Sequence, residues 1–181
     1  MIHQNFDSYW VVLPDYNSRT TYSQSLDGFI IERSKIFSPE CDVPMLRKAL
    51  EWAEAEAAKE RFDQRWRQGA WAQNLVATEE TMKRVGGLYT KMEVTCHTAF
   101  CFAGRVCDMA GDTFIAETGP FRSAICVTDV ISSDTGRVRE ISHRAQDLLG
   151  IKRSAANTLF AADNTIENVR ILCDAIVGEP L

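Results

Sequence analysis

The sequence predicts an α+β fold, a mainly helical domain with a small antiparallel sheet or hairpin. Three observations predict it. A capped stripe of apolar residues at helical spacing begins at Asp42, the last third of the chain repeats that pattern, and the first forty residues hold two β-rich runs around a polar loop. With 181 residues, 45% of them hydrophobic, the chain has material for one substantial core, which predicts a helical core domain over 42–181 and an N-terminal strand or hairpin extension over 1–41.

In the extension, "SYWVVL" and "GFIIERSKIF" are rich in β-branched and aromatic residues, and "PDYNSRTTYSQSLDG" between them is full of turn formers. A hairpin with a long loop follows. Asp42 then offers an N-cap, with Pro44 in the first turn where its missing N–H costs nothing. Leu46, Ala49, Leu50, Ala53 and Ala57 give that helix a packed face, while Glu51, Glu54, Glu56 and Glu60 with Lys48, Lys59 and Arg61 read as its wet face. The pattern runs to about Trp66 and breaks at Gly69. A short helix is expected over Glu79–Val85, stopped by Gly86 and Gly87.

The run "CHTAFCFAGRVCDMAGD", Cys96 to Asp112, holds three of the six cysteines and one of the three histidines. A helix from about Thr98 to Ala110, capped by Thr98 or Thr95, sets Cys101 and Cys107 about 120° apart, so they do not share a face. His97 and Cys101 do lie on one side. A structural zinc site wants two close ligand pairs, and Cys96, His97 and Cys101 would need a distant fourth ligand such as Cys126 or His143. A Cys101–His97 nucleophilic pair is opposed by Phe100, Phe102, Ala103, Val106 and Met109, because apolar surroundings raise a thiol's pKa. The small residues Ala99, Ala103, Gly104, Cys107 and Ala110 favour a central core helix with close neighbours. No catalytic, cofactor-binding or metal residue is therefore assigned.

Beyond Gly111, "DTFIAETG" and "SAICVTDVI" read as two short strands around Gly119-Pro120. The rest reads as helix. Val138, Ile141, Ala145, Leu148 and Leu149 form a stripe with Ser133 or Asp134 as cap and Gly150 as stop, Ser154 caps a short turn with Leu159 and Phe160, and Asp163 or Asn164 caps a last helix ending near Gly178.

Several of these pieces resemble a family of small proteins, without an established activity, encoded by actinobacteria and very often by their bacteriophages. Its members look like W-x-Q-x-x-W, then C-G-T-A-x-C-x-A-G-[WH], then A-x-x-L-L-G-L, a segment ending in L-F, and N-T-L before a final helix. Here they read Trp66 to Trp71 around Gln68, Cys96 to Gly104, Ala145 to Ile151, Leu159-Phe160 and Asn164-Thr165-Ile166. The likeness covers roughly 45 to 178 by motif order. His97 stands where the family has glycine, Arg105 where it has tryptophan or histidine, and the link from Trp71 to Cys96 is longer. The resemblance implies a phage or prophage origin, and such accessory proteins often act by binding a host protein.

Function is thereby ranked. A non-enzymatic protein that binds a host protein leads, since the chain holds no phosphate-cradling glycine loop, H-E-x-x-H or G-x-S-x-G, and Tyr9, Trp10, Trp52, Trp66 and Trp71 are candidate anchors. The second reading is a DNA-binding regulator through a helix-turn-helix-like segment at 137–160, with Arg137, Arg139, His143, Arg144, Lys152 and Arg153 as its basic residues and Asn157 and Thr158 facing base edges. A net charge of −5 weighs against it. The third is a thiol or metal-dependent enzyme using the Cys96–Cys107 cluster. "MIHQNFDSYWVV" lacks the pattern of a signal peptide, which predicts a cytoplasmic protein, in the host cytoplasm if phage-encoded, with no membrane partner, no cofactor and reduced cysteines.

Overall fold

The computed structural model describes residues 10–13, 29–60, 65, 66, 68, 72–84, 87–95, 98–118 and 127–181. Two strands, β1 (Trp10–Leu13) and β2 (Phe29–Glu32), form an antiparallel ladder in which Trp10 faces Glu32 and Leu13 faces Phe29. The expected strand pair is thus present. Its second run is cut short, because the chain turns into a one-turn helix, α1 (Arg33–Ile36), instead of staying extended to Phe37. Ile36 and Ser38 then enter the core, where the Ser38 N–H donates to the Ile176 carbonyl at 2.9 Å and the Lys152 N–H donates to Ser38 Oγ at 3.1 Å.

Helix α2 (Val43–Ala57) starts where its cap predicts, with the Met45 N–H donating to Asp42 Oδ1 at 3.0 Å. Leu46, Ala49, Leu50 and Ala53 are its buried face. The helix stops at Ala57, about two turns earlier than its periodicity suggests. Glu56, placed on the wet face by the sequence, is buried instead and receives Arg65: its carboxylate accepts from the Arg65 N–H at 2.9 Å and from the guanidinium at 2.8 Å, with Lys59 Nζ at 2.6 Å. That cluster holds Arg65 against the last turn of the helix.

The sheet is larger than a small sheet or hairpin beside a mainly helical domain, and the expected balance of the α+β fold is corrected accordingly. After a short β3 (Ala72–Gln73), the long strands β4 (Val76–Arg84) and β5 (Gly87–Glu93) pair where a loop and a short helix over Glu79–Val85 were expected. A short β6 (Ala99–Phe100) pairs with β3, and α3 (Phe102–Met109) follows it. Strands β7 (Thr113–Thr118), β8 (Val127–Ile131) and β9 (Val138–Glu140) complete a five-stranded antiparallel sheet of order β4-β5-β7-β8-β9. Strands β7 and β8 are the two that the sequence predicts.

The physical reason for the miss is exposure. Strand β4 is the sheet edge, with Val76, Ala77, Glu79, Glu80, Thr81 and Lys83 all exposed, so its sequence carries no apolar alternation for the eye to find. Its ladder is also irregular between Ala77 and Thr81, and bulges and charges of this kind discourage pairing at a free edge. Strand β9 was hidden differently: Val138 stands three residues before Ile141 and mimics a helical stripe.

The remaining helices are α4 (Ile141–Leu149), α5 (Arg153–Leu159) and α6 (Ile166–Val177). Ser133 and Asp134 do not cap α4; they form the β8–β9 turn, and Glu140 occupies the N-cap. Thr165, not Asp163 or Asn164, caps α6 by accepting from the Asn168 N–H at 3.2 Å. Gly150 and Gly178 end α4 and α6 in left-handed conformations, as their positions predict. Helices α2, α3, α4 and α6 pack around one core, to which the sheet contributes Met92, Phe114, Ala116, Val127 and Val130. Among the described residues no helix is long and apolar enough to cross a membrane.

Candidate functional site

The α4–α5 corner opens a groove of about 290 Å³. Ser142, His143 and Gln146 line it from successive turns of α4, and Ala156, Asn157 and Phe160 line it from α5 and the residue that ends it. Periodicity explains the set: residues three and four apart share a helix face. Gly150 makes the turn possible. At φ +61° it is left-handed, and a Cβ there would stand 2.5 Å from the Glu40 carbonyl oxygen, so no side chain fits. Ile151 anchors the turn in the core, and Phe160, 7% exposed, forms the apolar floor.

Apart from Ala156, the rest of the lining is polar. Ser142 Oγ donates to a Glu140 carboxylate oxygen at 2.8 Å, and His143 Nδ1 lies 3.5 Å from the other. Among the described residues no hydrogen bond engages the carboxamide of Gln146 or Asn157. Each offers a donor and an acceptor side by side.

Of the basic residues of the helix-turn-helix reading, Arg144, Arg139 and Lys152 are engaged within the chain, and Arg137 and Arg153 are exposed. Arg144 is buried, with Nε 2.9 Å and Nη2 3.1 Å from the two Asp112 oxygens and Nη1 3.1 Å from Asp134. Asp112 also accepts from the Ser133 N–H at 2.8 Å. The arginine thus clamps α4 to the β8–β9 turn and to the start of β7. Arg139 pairs with Asp147, and Lys152 Nζ donates to the Ser34 carbonyl at 3.1 Å. Asn157 is exposed and Thr158 half-buried, with the Thr158 hydroxyl donating to the Ser154 carbonyl at 2.9 Å.

The cysteine run is divided by the structure. Cys96, His97 and Cys126 lie outside the described residues. The predicted helix begins late, at Phe102, because 99–100 are strand, and its cap is a thiol: the Gly104 N–H donates to Cys101 Sγ at 3.3 Å. Burial pushes the Cys101 pKa up to about 12 against the pull of neighbouring N–H groups, and burial followed by the Asp112 charge pushes Cys107 higher still. Cys107 Sγ donates to the Ile141 carbonyl at 3.7 Å. Both are core residues, and among the described residues no three His, Cys, Asp or Glu side chains could together hold a metal ion.

Gln68 is a structural pin that sequence reasoning missed. The side chain is buried, its Nε2 donates to the carbonyls of Leu159 at 3.0 Å and Ala161 at 3.2 Å, and its Oε1 accepts from the Phe102 N–H at 3.2 Å. Asn164 Nδ2 reaches the carbonyls of Thr158 at 2.7 Å and Leu159 at 3.0 Å. Residues quoted from four separate motifs therefore meet at one corner.

No family model, curated protein or solved structure matches the chain. The candidate anchors divide too: Trp52 is half-buried, edge-on to Phe100 at 6.3 Å with the Arg105 guanidinium 5.2 Å above its ring, and Trp66 packs on the core. Tyr9 and Trp71 lie outside the described residues, and only the backbone of Trp10 is described. Of the groove, the sequence singled out His143 and Asn157 for another role and gave no reason to choose Gln146, since its partner wall lies across a turn.

Proposed function

We propose that this chain is a non-enzymatic binding protein that takes an extended segment of a partner protein into the α4–α5 groove. The observation that carries the reading is the pair of unengaged carboxamides, Gln146 on one wall and Asn157 on the other, over the Phe160 floor. A carboxamide matches the donor and acceptor spacing of a peptide main chain, and an aromatic floor accepts one apolar side chain. Burial of the thiols and of Arg144 favours this reading over thiol chemistry or DNA recognition. The motif resemblance supports a phage-type accessory role with the partner in an actinobacterial host, met in its cytoplasm.

The test uses the full chain and a Gln146→Ala/Asn157→Ala variant, immobilised and challenged with actinobacterial lysate, with captured protein identified by mass spectrometry and then scanned as overlapping peptides. One peptide should bind the unaltered chain and bind the variant at least tenfold more weakly, while thermal unfolding of the two coincides. Equal binding by both would move the interface off the groove. A salt-dependent shift of duplex DNA with no peptide binding would overturn the reading.

A further inference from the structure

The first turn of α6 contains a fully buried asparagine with nothing to bond. Asn168 is 0% exposed, and neither its Oδ1 nor its Nδ2 has a hydrogen-bond partner among the described residues. Four residues earlier, Asn164 is 4% exposed, and its Oδ1 is also without a partner. Reversing the amide of Asn168 changes nothing, because both atoms are open. Reversing Asn164 would lose the two bonds from its Nδ2 to the Thr158 and Leu159 carbonyls, so its Oδ1 is the atom left over. Buried polar groups are almost always paired, with protein or with ordered water.

Local geometry explains the shortfall. Thr165 is the N-cap and Asn168 the third helical residue, the two positions of a capping box. A glutamate or glutamine at the second position reaches back to the N-cap N–H, but asparagine is one methylene shorter. The Thr165 side chain is already engaged, accepting from the Asn168 N–H. Val169, Leu172 and Cys173 of the same helix are fully buried as well, so the open atoms stand among apolar side chains and away from solvent.

We propose that one internal water molecule is bound here, donating to Oδ1 of Asn164 and Oδ1 of Asn168 and accepting from Asn168 Nδ2. One water's capacity suits these atoms: its two protons reach the two oxygens and a lone pair receives one of the two Asn168 Nδ2 N–H groups, and buried waters typically make about three hydrogen bonds. The site goes beyond the groove. It joins the first turn of α6 to the Thr158–Ala161 corner, whose carbonyls Asn164 and Gln68 hold.

The test is hydration NMR on the isotope-labelled full chain. NOE and ROE cross-peaks between water and the Asn168 side-chain amide should be present with the signs of a long-lived complex. They should persist in Thr165→Asn, which keeps a cap and removes the hydroxyl that could relay exchange. Asn168→Leu fills the same space with no polar atom; it should lose the cross-peaks and keep or raise the urea midpoint, whereas Asn168→Ala should lower it. Absent cross-peaks, or signs characteristic of fast-exchanging water, at an assigned Asn168 amide would overturn the proposal, whatever the variants do. So would loss of the cross-peaks in Thr165→Asn.

Discussion

Glu56 shows how one carboxylate closes a helix. Burial works to raise its pKa, but hydrogen bonds from the Arg65 side chain, from Lys59 and from the Arg65 N–H outweigh that and hold it at about 2, below the usual 4.5. A folded-state pKa depressed in this way adds stability that is present above about pH 4.5 and is lost as the pH falls toward 2. Glu56→Gln should therefore unfold at a lower urea concentration than the unaltered chain at pH 7, with the gap closing between pH 4.5 and 2. We expect about 2 kcal/mol at pH 7, less than the ~3–5 kcal/mol for breaking a fully buried pair, because Arg65 and Lys59 are each 42% exposed. A gap constant with pH would show that the ion pairs contribute nothing. The sequence could not reveal this residue, because Glu51 and Glu54 of the same helix look alike and only the placement of Arg65 distinguishes it.

The turn between α4 and α5 fixes the groove's shape, and it depends on Gly150 for two separable reasons. Its left-handed backbone disfavours any side chain, and the Glu40 carbonyl blocks a Cβ. Gly136, in the β8–β9 turn, shares the first reason at φ +65° but has nothing within 4 Å of a Cβ. Gly150→Ala should consequently destabilise by well over the ~1 kcal/mol expected of strain alone, and Gly136→Ala by about that amount, read as urea midpoints. Equal losses would mean that the Glu40 segment yields and that the close approach is unimportant. Here local pattern was informative: a glycine after a helical stripe predicts the left-handed stop, although nothing local predicts that residue 40 lies against it. For β4 the reverse holds, since an exposed edge strand has no buried face to leave a pattern.

The core as a whole sets the state of the four described cysteines. Burial pushes the Cys41 thiol up to about 11 and Cys101 to about 12, and drives Cys107 and Cys173 upward as well. At pH 7.5 each holds less thiolate than an ordinary cysteine, and thiolate is the nucleophile. Iodoacetamide labelling followed by peptide mass spectrometry should find Cys101, Cys107 and Cys173 unmodified in the folded chain and modified in urea, with half-buried Cys41 reacting slowly. Fast native labelling of Cys101 would revive the thiol-enzyme reading.

What could be known from the chain's letters was whatever acts within about one turn of helix or one strand pair. The cap at Asp42, the stops at Gly150 and Gly178, the buried stripe of α2 and the strands β7 and β8 all depend on near neighbours, whose chemistry and spacing are written side by side. Tertiary packing alone decided the rest. Gln68 binds a carbonyl 91 positions away, Arg144 finds Asp112 at 32, and the groove needs two helices brought together by a turn. A polar side chain looks the same in sequence whether water or a buried carbonyl will satisfy it, and only folding, by removing the water, determines which of them becomes a pin.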